Sequence, residues 1–72
     1  MDLDRIESLL RFNLGVAYAR LGRFDQAFAE WASSLKLSPG DRELRRMIVA
    51  EKGRVDKARR KKDGGLRFVL GD

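Results

Sequence analysis

RFNLGVAYARLGRFDQAFAEW, residues 11–31, decides the fold, and Pro39 closes it. The stretch reads as two short helices broken at Gly22. Gly15 and Ala27 lack bulk where two antiparallel helices must approach each other. Tyr18, Phe24, Phe28 and Trp31 supply large apolar area at the turn and along the second helix. Gly22 can take a positive φ at low cost, which suits the end of a helix. Pro39-Gly40 stops the second helix, because proline pushes the residue before it out of helical geometry.

These spacings resemble a known family. A tetratricopeptide repeat carries W-x2-L-G-x2-Y, then A-x3-F, then P, over about 34 residues. The same offsets here hold Arg11, Leu14, Gly15 and Tyr18, then Ala27 and Trp31, then Pro39. Arg11 stands where a large aromatic is usual, and Trp31 stands for Phe while keeping aromatic bulk. The match covers about residues 8–41, and the chain resembles one such unit with something added at each end.

The resemblance implies an all-α fold, a helical hairpin closed by a third helix that is basic. Helices are expected over about residues 4–21, 24–37 and 42–62, forming one domain over 1–62. A short extended or disordered tail, joined through Gly64-Gly65, is expected over 63–72. Asp2 or Asp4 can cap the first helix, with Glu7 completing a capping box. Asp41 is placed to cap the third. Leu44, Ile48, Val55 and Ala58 form its apolar stripe, with Met47 beside it. Beyond Val55 that helix is expected to project or fray. In the tail, Leu66, Phe68 and Leu70 alternate with Arg67 and Val69, the period of a strand. A lone strand must pair with another molecule, lie in a groove or stay disordered.

Composition limits the chemistry. Seventy-two residues make one small domain with little core. There is no cysteine for a disulfide or thiol chemistry. No histidine is present, which removes the commonest general base and metal ligand. The serines therefore lack an activating partner, and no catalytic constellation, cofactor motif or metal-ligand set is found. No apolar run reaches the roughly 18 residues of a membrane span. The acidic start of the chain lacks an apolar signal core, so a soluble, cytoplasmic protein is expected.

Function follows from the resemblance, which implies a protein-interaction module. In that family the first helices line a concave face that holds an extended peptide or another helix. Here that face is expected to present Leu9, Phe12, Asn13, Val16, Ala19 and Arg20. Some members grip a C-terminal carboxylate with Lys and Asn there. Phe12 and Val16 occupy those places, so the groove is expected to be mostly apolar. One unit cannot bury all its faces, and about three are usual. A homo-oligomer, most simply a two-fold dimer joined through the first helix, is therefore expected. The same face would meet an upstream repeat if the chain ends a longer array.

The net charge of +5 is uneven. Residues 1–40 balance at five basic and five acidic side chains, whereas 41–62 hold ten basic against four acidic. Arg45, Arg46, Arg59, Arg60, Lys61 and Lys62 are the electrostatic candidates. A solvated helix, an acidic protein, or nucleic acid bound through phosphates each accounts for that charge. Against nucleic acid, residues 41–62 contain no aromatic side chain to stack on bases.

Overall fold

Gly22 turns the chain as its lack of a side chain allows. Its φ is +80°, the one positive φ among the described residues. The N–H of Arg23 donates to the Tyr18 carbonyl at 2.9 Å, and that of Gly22 to the Ala19 carbonyl at 3.1 Å. This pair of bonds is a Schellman motif, which satisfies carbonyls that the helix end leaves open. In the computed structural model, which describes the backbone of residues 3–71 and the side chains of residues 3–60, three helices result. They are α1 (Leu3–Arg20), α2 (Phe24–Leu37) and α3 (Arg42–Gly71).

The hairpin of α1 and α2 closes around Gly15 and Trp31. A Cβ on Gly15 would lie 2.4 Å from Trp31 Nε1, so the indole occupies the space of the missing side chain. Trp31 Nε1–H also donates to the Phe12 carbonyl at 3.1 Å. Phe12 and Phe28 flank the indole, with ring centroids at 6.4 and 5.7 Å. Ser8 and Ser34 are fully buried, and each hydroxyl donates to a carbonyl one turn back, of Arg5 and Trp31. The Ser38 hydroxyl reaches Ser8 Oγ at 3.2 Å and ties the end of α2 to the start of α1. Arg11, the departure from the family pattern, bridges the helices instead of filling them. It pairs with Glu7 and with Glu30 of α2, both at 3.2 Å. The hydrogen bonds it donates to Glu7, and next to Glu30, raise the pKa of its guanidinium.

Asp41 caps α3, with Oδ1 accepting the Leu44 N–H at 3.1 Å. Asp4 lies inside the first turn of α1, so it is not the cap, and Glu7 is engaged with Arg11 instead of a capping box. Leu44, Ile48 and Val55 are buried on the hairpin and complete one core with Phe12, Ala27 and Trp31.

One expectation about α3 is qualified and one is corrected. Residues 56–60 are exposed and the helix projects, yet it keeps a contact with the hairpin, because the Arg59 guanidinium lies over the Phe24 ring, 5.8 Å from its centroid. It also does not end at Lys62, since helix continues through Gly64 and Gly65 to Gly71. Each glycine costs about 1 kcal/mol relative to alanine, which weakens a helix without forbidding it. No proline follows to block it, and the alternation of Leu66, Phe68 and Leu70 has no second strand to pair with. The side chains of that segment lie outside the described residues. A 30-residue helix is about 45 Å long, which accounts for a molecule measuring 57 × 20 × 13 Å.

Candidate functional site

The side chains expected on the concave face divide into two sets. Phe12 is 9 % exposed and belongs to the chain's own core, with Val16 and Ala19 half-buried against it. Leu9, Asn13 and Arg20 are exposed. Ala19 and Arg20 line a shallow groove with Phe24, Glu51, Val55 and Ala58. Toward the C-terminal end of α1 that face borders α3 through Ala19 and Arg20.

The uncovered apolar surface lies elsewhere on the same helix. Leu3, Leu10 and Leu21 are 75, 63 and 70 % exposed, and Ile6 and Leu14 are 41 and 42 % exposed. At 3.6 residues per turn these positions stand about 180° from Ser8, Phe12 and Gly15, which face α2. Ala17 is exposed in the same line. Sequence reasoning placed the outward contacts on Leu9, Phe12, Asn13, Val16, Ala19 and Arg20 instead. The signal that separates the two faces was present. Small or polar residues, Ser8 and Gly15, mark the side on which α2 approaches closely.

On α3, the face away from the core carries Arg42, Arg46, Lys57 and Arg60, with Lys52 at its edge, all exposed. None of these five makes an ion pair among the described residues, where the one pair within α3 joins Arg54 to Glu51. The other candidates are engaged: Arg45 donates to the Pro39 carbonyl at 2.8 Å, and Arg59 covers Phe24. Lys61 and Lys62 lie outside the residues whose side chains are described. Charge counting found the segment, but its working face needed the burial of Leu44, Ile48 and Val55 to orient it.

Neither surface holds groups arranged for chemistry. Among the described residues no cluster of His, Cys, Asp or Glu could hold a metal ion. Among them no buried side-chain nitrogen or oxygen is left without a hydrogen bond. No helix among them is long and apolar enough to cross a membrane.

The family model described as tetratricopeptide repeat matches residues 8–41. No curated protein and no solved structure matches the chain. Proteins of the matched family are generally non-catalytic and engage protein partners. The matched span holds the Gly15–Trp31 notch, the Gly22 turn and the Pro39 stop. Residues 8–41 of the chain are one tetratricopeptide repeat.

Proposed function

We propose that the protein is a non-catalytic interaction module that associates with itself through α1 and holds a peptide or helix of a partner protein. The observation that carries this reading is the row of large apolar side chains on α1 with nothing over them. Six of the seven exposed large hydrophobics among the described residues lie on α1 or at its end: Leu3, Ile6, Leu9, Leu10, Leu14 and Leu21. Burying such a side chain is worth about 1.5–3 kcal/mol, a large share of what so small a domain has in total. Leu9, Asn13 and Arg20, the exposed members of the expected concave face, are the partner-binding residues of this proposal. A cytoplasmic setting belongs to the same reading, supported by a cysteine-free sequence that needs no oxidising compartment.

Sedimentation equilibrium over a range of micromolar concentrations tests it. The expected result is a mass of twice the monomer that falls on dilution. The variant Leu10→Glu should stay monomeric with an unchanged helical circular-dichroism spectrum, since Leu10 lies outside the core. A wild-type chain that is monomeric throughout ends the self-association reading. Phe12→Glu is unsuitable, because it would disturb the core itself.

A second reading is favoured by the unpaired cations of α3. Through Arg42, Arg46, Lys57 and Arg60 the same protein would bind nucleic acid or another polyanion.

A further inference from the structure

Self-association through α1, as proposed above, is the premise, and the spacing of its exposed stripe adds the direction of pairing. Leu3, Ile6, Leu10, Leu14, Ala17 and Leu21 follow one another at steps of three, four, four, three and four residues. Reversing the order about Phe12 places Leu3 on Leu21 and Leu10 on Leu14. Ile6 comes opposite Tyr18, one place from the small Ala17. An isologous interface presents one surface to itself, so a stripe that reads nearly alike in both directions suits two antiparallel copies.

We infer that two copies pack α1 against α1 antiparallel, on the face away from the core, with the two-fold axis at the level of Phe12. Three further observations agree. The five large members of the stripe present on the order of 500 Å² per copy, so the pair removes on the order of 1,000 Å², the small end of specific interfaces. Antiparallel helices set opposite ends of their macrodipoles side by side, whereas parallel ones set like ends together. Asn13 is exposed, borders the stripe and stands one residue from the reversal point. Its amide holds both donors and an acceptor, so two copies meeting across the axis can bond to each other. A single polar residue of this kind fixes register between paired helices. The outer face of α3 is the poorer candidate for a second copy. Its one exposed large apolar side chain among the described residues is Val49, and Arg42, Arg46, Lys57 and Arg60 would meet like charges.

The chain contains no cysteine, so each introduced thiol is unique. The experiment uses the full chain carrying Asn13→Cys, Leu3→Cys, Leu21→Cys or Val49→Cys, each checked for its mass by sedimentation before mild oxidation. Antiparallel pairing predicts that Asn13→Cys forms a disulfide-linked dimer with itself. Leu3→Cys and Leu21→Cys should each fail alone and cross-link when mixed, and Val49→Cys should fail throughout. Dimers by sedimentation in which Leu3→Cys links to itself as well as Asn13→Cys does would overturn the antiparallel arrangement while leaving self-association standing. Dimers in which only Val49→Cys links would move the interface to α3 and overturn it equally. Monomers in every sample would remove both the arrangement and its premise.

Discussion

Gly15 and Gly53 are the same residue type in the middle of helices, and the structure gives them opposite roles. A methyl group on Gly15 would meet the Trp31 indole at 2.4 Å, and the indole is wedged between Phe12 and Phe28. Gly53 has nothing within 4 Å of where its Cβ would stand. Alanine gains about 1 kcal/mol over glycine in a helix, and overpacking a core costs about 1–3 kcal/mol. Gly15→Ala should therefore lose about 1–2 kcal/mol net, and Gly53→Ala should gain about 1 kcal/mol. Urea unfolding of the two variants checks both signs, and a stabilised Gly15→Ala would mean the notch is not there. The sequence carried the first role plainly, because Gly15 stands at a fixed offset from Trp31 that the family keeps. It did not by itself show that Phe12 packs in the chain's own core. A large aromatic looks like a contact residue until the position of the second helix is known.

At the level of elements, the boundaries set by local hydrogen bonds were more legible than the far end of α3. Gly22 and Asp41 act through local hydrogen bonds that the sequence itself contains: a Schellman turn in one case, a carboxylate on the Leu44 N–H in the other. Removing the second, in Asp41→Ala, should cost about 0.5–2 kcal/mol, the usual worth of an N-terminal cap. Loss of helical signal at lower urea than wild type is the measurement, and Asp41→Asn should restore most of it. The far end of α3 was misjudged because glycine is a weak stop. Gly64-Gly65 lowers helix propensity without supplying another structure, and alternating apolar residues make a strand only when a partner strand exists. The hold of α3 beyond Val55 was missed for a different reason. Arg59 reads as a solvated charge in sequence, yet it lies over Phe24, which is 35 residues away along the chain.

At the scale of the molecule, most of the apolar exposure and most of the exposed positive charge among the described residues are sorted onto different helices. Leu3, Ile6, Leu10, Leu14 and Leu21 lie on α1 or at its end, and Arg42, Arg46, Lys57 and Arg60 on the outer face of α3. The two surfaces should therefore answer salt in opposite ways. Burial of leucine side chains does not depend on screening, and excluded salts such as sulfate strengthen it. Contacts to a polyanion release counterions, so the logarithm of affinity falls with that of salt by about 0.9 for each phosphate neutralised on a duplex. Four such contacts would lose on the order of a hundredfold between about 50 and 200 mM salt. Sedimentation and duplex binding, measured on one preparation across that range, separate the surfaces. Self-association should hold or rise with salt, and any duplex binding should collapse. Arg46→Glu should weaken the second without touching the first, and Leu10→Glu should do the reverse. A dimer that dissociates as salt rises would place charge inside the contact, and α1 would then not be the face that makes it.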